Sequence, residues 1–462
     1  MCLIYSPASF PLHFSTYLGC LRKTREGARS LSVTRLKANP SESLFWFPQF
    51  VAPLDPMTEV SDVCSSSACL IDVNRNGSHK DRDRTTCILS IDGGGIRGII
   101  PTSILIFLEE QLQLLDGEHV RLADYFDLMA GTSTGGLIAG ILSVPNEEGR
   151  PKFEANDVMK IYFEQGPIIF KKSFVPFLKQ IRGPKYSATP LEGILQENLK
   201  ELRMKDTLSE ILIPTFDIKL MQPTYFSTRE ARNDESKNAY VRDVLRGTSA
   251  APTYFPPHFF KTISENGTER NFHLVDGGVG INNPTHLAIF HSLYHHRKQP
   301  ITNCNHNYLG EGCKDLLVLS LGTGKVTKSY DANISRNWGL ISWVFNDFHA
   351  PIIEIVSECS NDVVDYNISS FFKASGNHFN YLRVQAYNIQ SDIEALDNTV
   401  NTNMKKLREI GERLLDVPLS RMDIETGRPI TLQGEMSNKD ALIRFAKKLS
   451  QEYHRRRVHV NA

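Results

Sequence analysis

Two glycine-bearing turns constrain the fold of this chain more than any other feature. Residues 92–98, with the sequence DGGGIRG, follow the apolar run CILSI at residues 87–91. Residues 131–135, GTSTG, follow the run YFDLMA at residues 125–130. Short apolar runs with β-branched residues are typical of buried strands, and Pro101 with apolar residues at helical spacing behind it predicts a helix after the first turn. Both turns are therefore predicted to lie where a strand ends and a helix begins.

The first turn is predicted to form a cradle for an anion. Its backbone N–H groups carry little side-chain bulk and lie at the positive end of the following helix. The spacing of Gly93, Gly95 and Gly98 also matches the dinucleotide-binding fingerprint, which requires an acidic residue about 20 positions on, at the end of a second strand. That region, around Glu109 and Asp116, still belongs to the predicted helix or its exit. The nucleotide interpretation is therefore the weaker alternative.

The second turn has the pattern of a nucleophile elbow, Gly-x-Ser-x-Gly between a strand and a helix. Gly131 and Gly135 flank Ser133, as expected where a serine hydroxyl at a strained strand-to-helix corner leaves no room for neighbouring Cβ atoms. The alternative is an N-cap serine on a glycine-rich turn. Because two turns of this type occur at the ends of two strands, we interpret Ser133 as the candidate nucleophile.

A serine nucleophile needs a base, and acyl transfer needs donors for an oxyanion. The first turn supplies candidate donors in the backbone N–H groups of Gly94 and Gly95, with Arg97 beside them. The best candidate base is Asp276, which ends a short apolar run and precedes two glycines. An Asp-Gly-Gly sequence is also typical of a simple turn, so a structural role for Asp276 stays open at this stage.

Together these motifs resemble the signatures of the patatin-like phospholipases, a family of lipid acyl hydrolases first known from plants. The resemblance begins at about residue 86 and reaches the C-terminal helices. It implies an α/β fold of three layers, in which a central, mostly parallel sheet has helices on both faces. The stretches that carry it are residues 91–98, 131–136, 216–218, 247–257, 276–278 and 319–324.

The resemblance also implies an activity. The chain is expected to release fatty acids from phospholipids and galactolipids through a Ser133–Asp276 dyad and an acyl-enzyme, without a histidine, a metal or another cofactor. Gly94, Gly95 and Arg97 are expected to form the oxyanion hole. Spacing alone leaves a triad open, with three candidate histidines near the motifs: His258, His273 and His286.

Two other functions remain as alternatives. One is a nucleotide-binding protein that uses the first glycine turn for phosphate. The other is a storage or plant-defence protein whose lipase activity is incidental, which would carry the same motifs.

Net charge restricts the partners. Lys plus Arg equals Asp plus Glu at 52 each, so no overall field attracts nucleic acid or an anionic membrane. The expected partner is a membrane lipid, reached by peripheral contact through a local apolar surface. No stretch offers about 18 uninterrupted apolar residues, so no membrane span is predicted.

The first 84 residues are predicted to lie outside the catalytic domain, which is assigned to residues 85–462. The first 40 contain six basic residues against a single acid, Glu26, together with several serines. A plastid transit peptide, a disordered tail, or extra upstream sequence with the true start at Met57 would each fit this composition. The eight cysteines show no metal-type pairing, so a reduced compartment, cytoplasmic or plastid, is expected, with a Cys304–Cys313 disulfide left open.

Three further segments carry specific expectations. Residues 170–186, basic and aromatic, are predicted to form a surface connection, with a lid as the alternative. The basic cluster at residues 455–457 is expected to be a solvated tail. An apolar helical face is expected to pack in the core, with a lipid-facing rim as the alternative; its members are Trp338, Ile341, Phe345 and Phe348.

Overall fold

The structure is a computed structural model. It describes residues 84–171, 183–296 except 265, 315–344 except 326–328, 346, 351–431 except 391, 392 and 394, 434 and 436–460. The expected N-terminal extension, the centre of the 170–186 segment, Cys304, Cys313, Phe345 and Phe348 lie outside these residues, so the expectations about them stay predictions.

A central sheet of eight strands organises the described part of the chain, in the order β5-β6-β3-β2-β1-β7-β8 with β4 paired to β3. Five neighbouring strands, β3-β2-β1-β7-β8, run parallel, and β4, β5 and β6 join antiparallel. A separate hairpin contains β9 and β10. The bounds are β1 Thr86–Ile91, β2 Leu128–Gly131, β3 Glu210–Asp217, β4 Gln222–Ser227, β5 His258–Ile263, β6 Glu269–Asp276, β7 Leu316–Leu321, β8 Tyr381–Val384, β9 Ser420–Asp423 and β10 Arg428–Thr431.

Helices cover both faces of the sheet, because side chains alternate across each strand. In β1, Cys87, Leu89 and Ile91 join a large apolar cluster with α1–α6, α11 and α12, whereas Ile88 joins a smaller one with α7 and α10. The expected three-layer, mostly parallel α/β fold is thus confirmed. The helices are α1 Ile99–Asp116, α2 Thr134–Leu142, α3 Ala155–Ile169, α4 Thr189–Leu199, α5 Thr228–Asn233, α6 Val241–Thr248, α7 Thr285–His296, α8 Ala332–Ser335, α9 Leu340–Val344, α10 Pro351–Ala374, α11 Asn401–Leu414 and α12 Asn438–Val460.

Along one of its two edges, strand β3 pairs first with β2 and then with β6. Leu212 pairs with both β2 and β4, and Thr215 pairs with both β6 and β4. Because a strand has two edges, β2 and β6 must lie on the same edge of β3, one after the other. They run in opposite directions, so their C-terminal ends meet head-on beside Pro214. A proline is tolerated in this strand because no ladder partner needs its N–H at the point of exchange.

One helical segment of the described chain, Gly95–Asp116, has the length and apolar composition of a membrane span. About 61% of its apolar window is buried inside the fold. Ile104, Leu105 and Leu108 are fully buried in the larger core cluster, which is typical of a central core helix.

Two expectations about surface segments were wrong. Ile341, assigned to a core face, is 79% exposed, because no described element covers that side of α9. Arg456, assigned to a solvated tail, is largely covered instead. Its Nη2 lies 2.6 Å from Asp127 Oδ2 and 3.2 Å from the Thr85 carbonyl oxygen, so it ties α12 to the start of β1.

Arg456→Met tests this tie. The substitution keeps the aliphatic volume and removes the hydrogen bonds to Asp127 and to the Thr85 carbonyl, so we expect a loss of about 1–3 kcal/mol in the free energy of unfolding. The matched control is Arg457→Met, since Arg457 is exposed on the same turn. Urea denaturation measures both variants, and equal stabilities would contradict the assignment.

Candidate active site

The two residues proposed as a dyad lie at the head-on junction of β2 and β6. Ser133 lies just after β2, at the N-cap position of α2 but without a capping hydrogen bond from its side chain, and Asp276 is the last residue of β6. The Ser133 hydroxyl donates a hydrogen bond to Asp276 Oδ2 at 2.6 Å, across 143 positions of sequence. A serine oxygen and a carboxylate at this distance have the geometry for direct proton transfer.

The backbone at Ser133 is strained, with φ 53° and ψ −120°. This is uncommon for a residue with a side chain and costs on the order of 1–3 kcal/mol. A Cβ on Gly131 would overlap the carbonyl oxygen of Gly135, and one on Gly135 would overlap that of Ile91. The flanking glycines are therefore required by close backbone contact, as the elbow pattern predicts.

A threonine holds the strained turn in place. The Ser133 N–H donates to Thr248 Oγ1 at 3.0 Å, and the Thr248 hydroxyl donates to the Pro214 carbonyl at 2.6 Å. The carbonyl of Pro214 lies at the point where β3 exchanges partners. Thr248 thus connects the elbow to the sheet, a contact that no local sequence pattern indicates.

Asp276 is buried, and hydrogen bonds fix both its carboxylate and its backbone. Its Oδ1 accepts the Gly278 N–H at 2.7 Å, and its own N–H donates to the Ala250 carbonyl at 3.0 Å. Burial raises the pKa of Asp276 to about 6, against the opposing hydrogen bonds from Ser133 and Gly278. A carboxylate with a raised pKa is a stronger base than an ordinary aspartate.

The first glycine turn, residues 92–98 and from here on the tri-glycine turn, lies beside Ser133. A Cβ placed on Gly93 would lie 3.4 Å from the Ser133 Cβ, and the Gly93 N–H donates to the Asn282 carbonyl at 3.1 Å. By contrast, the N–H groups of Gly94 and Gly95 donate to no group among the residues that the structure describes. These two amides are therefore available to a bound oxygen.

Arg97, the third residue assigned to the oxyanion hole, lines a small polar cavity next to this turn. Asp92, Lys325 and Glu358 line the same cavity. Lys325 Nζ bonds both carboxylate oxygens of Asp362 at 2.6 Å. The geometry places Arg97 near the turn, and its contribution to an oxyanion hole stays a prediction.

A buried network of ion pairs holds Asp92, the first residue of the tri-glycine turn. Arg383 of β8 bonds Asp92 through both terminal nitrogens, at 3.0 and 2.6 Å, and lies 3.3 Å from Asp365. Burial raises the pKa of Asp92, while the Arg383 guanidinium opposes this effect. Asp365 also accepts a bond from the Asn283 amide at 2.9 Å. The network thus joins the turn after β1, the strand β8, the helix α10 and the segment after Asp276.

None of the three candidate histidines forms a described contact with the dyad. His258 Nε2 lies 3.2 Å from Asp243 Oδ1, and the backbone N–H of His273 donates to Asp217. The ring of His286 packs against Phe290, and burial lowers its pKa. Within the described chain, no group of three or more His, Cys, Asp or Glu is placed to hold a metal ion.

The chain resembles known proteins over most of its length. A family model for patatin-like phospholipase matches residues 89–289, a span that includes both glycine turns and Asp276. Patatin-like protein 2 of Oryza sativa subsp. indica is 41% identical over 393 residues, which cover 82% of this chain and 96% of that protein. Patatin-like protein 1 of Arabidopsis thaliana is 43% identical, over 80% of this chain and 91% of its own. Patatin group D-2 of Solanum tuberosum is 40% identical, with 79% and 89% covered.

The buried carboxyl of Asp276 makes a prediction about stability. Its pKa in the folded state is above the ordinary aspartate value, so its contribution to stability is greatest at low pH and is lost as the pH rises through about 6. This raised pKa corresponds to a cost of roughly 3 kcal/mol for the charged carboxylate in the folded state at neutral pH. We therefore expect Asp276→Asn to have a higher thermal midpoint than the wild type near pH 8, with the difference disappearing near about pH 4.

The control is Asp217→Asn at a second buried aspartate. The Asp217 carboxylate accepts N–H bonds from Lys219, Leu220 and His273. An asparagine NH₂ cannot accept such bonds, so this variant should have a lower thermal midpoint. If Asp276→Asn has a lower thermal midpoint than the wild type near pH 8, the charged Asp276 carboxylate does not destabilise the folded state and the prediction is wrong.

Proposed function

Because this chain belongs to the patatin-like phospholipase family, we propose that it is a serine-dependent lipid acyl hydrolase acting through Ser133 and Asp276. The observation that carries the proposal is the 2.6 Å bond from the Ser133 hydroxyl to a buried carboxylate, beside two amides with no other described partner. This arrangement supplies a nucleophile, a base and oxyanion donors in one place.

In the first half-reaction Asp276 accepts the proton of the Ser133 hydroxyl while the serine oxygen attacks the ester carbonyl carbon. The N–H groups of Gly94 and Gly95, assisted by the positive charge of Arg97, stabilise the oxyanion of the tetrahedral intermediate. When the intermediate collapses, the ester C–O bond breaks and Asp276 returns the proton to the leaving alcohol. A lysolipid departs and the acyl group stays on Ser133.

In the second half-reaction Asp276 accepts a proton from water, and the resulting hydroxide attacks the acyl-enzyme. Collapse frees the fatty acid, and the proton returns to Ser133. The same carboxylate thus acts as base and acid in turn, which requires a pKa close to the working pH. The raised pKa of Asp276 supports this assignment.

The proposed substrates are the acyl esters of phospholipids and galactolipids at a membrane surface. The balance of charges, 52 against 52, provides no long-range attraction to an anionic bilayer. Exposed apolar side chains on the described surface, such as Leu340 at 82%, support local apolar contact. We propose peripheral membrane association in the cytoplasm or the plastid, without nucleic acid as a partner.

Ser133→Ala tests the nucleophile. We expect the release of fatty acids from vesicles of mixed phospholipids and galactolipids to fall by about 10³-fold or more, because alanine lacks the oxygen on which the acyl-enzyme is proposed to form. A fluorophosphonate probe should label Ser133 in the wild type and leave the variant unlabelled. The matched control is Ser143→Ala at the other end of α2, where the buried hydroxyl donates to the Ala139 carbonyl and contacts the sulfur of Met129.

If Ser133→Ala retains activity, the assignment of Ser133 and Asp276 as a catalytic dyad is wrong. Failure of the probe to label the wild type, together with protection by a nucleotide against thermal unfolding, would favour the nucleotide-binding alternative.

The pH dependence of kcat/KM tests the base. Asp276 must be deprotonated to accept the serine proton, so kcat/KM for a water-soluble ester should rise with pH and level off above about 6. Burial also raises the pKa of Glu109, to about 7, but this carboxylate accepts the N–H groups of Leu122 and Ala155 and has no described contact with the dyad. Glu109→Gln should therefore keep the same acidic limb. Loss of the acidic limb in Glu109→Gln would show that the limb reports the titration of Glu109 and not that of Asp276.

A further inference from the structure

The side chain of Thr323 lies against the tri-glycine turn, although it comes from a different strand. Thr323 follows β7, whose last residue pairs with the last residue of β1, so the two segments leave the sheet together. The Thr323 hydroxyl is buried and donates to the Gly93 carbonyl at 2.6 Å. A Cβ on Gly94 would overlap the Thr323 side chain. The threonine therefore packs on the backbone of the turn and also bonds it.

This bond acts on the peptide unit that carries a proposed oxyanion donor. The carbonyl of Gly93 and the N–H of Gly94 belong to one planar trans peptide and point in opposite directions. Fixing the carbonyl therefore fixes the direction of the N–H. A hydrogen bond to the carbonyl also polarises the peptide and makes its N–H a stronger donor.

The second proposed donor is fixed in the same manner by the backbone itself. The Gly94 carbonyl accepts the Arg97 N–H at 3.1 Å, which orients the peptide carrying the Gly95 N–H. No equivalent backbone donor to the Gly93 carbonyl occurs in the described chain. Consecutive glycines have little steric barrier to peptide rotation, so the first peptide depends on a side chain for its orientation.

We propose that Thr323 is a positioning residue of the oxyanion hole, and that its hydroxyl sets the direction of the Gly94 N–H by holding the Gly93 carbonyl. The inference rests on the proposed function, since it concerns the same site. Thr323 does not touch the reacting atoms. The bond from Thr323 is expected to stabilise the transition state and not the bound substrate. The reason is that the Gly94 N–H must be aligned with the oxyanion and not with the substrate carbonyl.

The test compares three substitutions at this position on a water-soluble ester. Thr323→Val keeps the shape and removes the hydroxyl donor, so kcat should fall by about 10- to 100-fold. This is less than the roughly 10²- to 10³-fold loss for removing an oxyanion donor outright, because the Gly94 N–H stays and loses only its alignment. KM and the acidic limb of the pH profile should not change, because neither substrate binding nor Asp276 is altered. Thr323→Ser should restore most of kcat. Thr323→Cys, close to serine in size but a weak donor, should not.

A remote threonine provides the control for the loss of a buried hydroxyl. Thr262 is buried in β5 and donates to the Ser236 carbonyl at 2.5 Å. In the sheet, β6, β3 and β2 separate β5 from β1 and the first glycine turn. Thr262→Val should keep wild-type kcat. If Thr323→Val does not fold, the serine and cysteine variants still decide the matter through their ratio of kcat values.

The outcomes separate the two proposals. Wild-type kcat in Thr323→Val, or equal kcat in the serine and cysteine variants, would overturn the positioning role while Ser133→Ala remains inactive. Loss of kcat in Thr323→Ser as large as in Thr323→Val would also overturn it, because methyl packing would then explain the effect. A wild type without Ser133-dependent turnover would overturn the proposed function and this inference together.

Discussion

The site depends on an exchange of partners along β3. A continuous ladder beside this strand would leave no gap, but β2 stops opposite Leu212 and β6, running the other way, stops opposite Thr215. Two strand ends that meet head-on bring the residues that follow them into contact. Thr248 fills the gap by bonding both the Pro214 carbonyl and the Ser133 N–H. The short separation of Ser133 and Asp276 is therefore a property of the sheet topology, and loop flexibility is not needed to produce it.

Burial of Asp276 has two opposite effects on the protein. The same lack of solvent that raises the carboxyl pKa, and so makes it a better base, also makes its charge unfavourable in the folded state. The strained backbone of Ser133 adds a further cost. The surrounding fold offsets both through its apolar core, in which Ile88, Leu89 and Ile91 of β1 are fully buried. A destabilised site held by a stable frame is common where reactivity is concentrated.

The sequence was sufficient for the local features and insufficient for those that join distant segments. Strand–turn–helix patterns identified β1, β2 and their glycine turns, because each is determined by residues close in the chain. The sequence indicates no role for Thr248, Thr323 or Arg383, because each acts on a segment far away in the chain and its neighbours do not reveal the partner. Periodicity also failed at Ile341: it shows which side of a helix is apolar, but not whether another element covers that side.

The connection between α12 and the start of β1 has a consequence for how the domain assembles. Arg456 and Asp127 are 329 positions apart, and the central strand β1 receives β7 as a neighbour only after most of the domain has been synthesised. During translation the first strand therefore leaves the ribosome with one edge unpaired. Contacts this distant in sequence are slow to form, and an open strand edge can pair with other chains in the meantime. The nascent chain is thus most vulnerable to aggregation in the interval before β7 leaves the ribosome and pairs with β1.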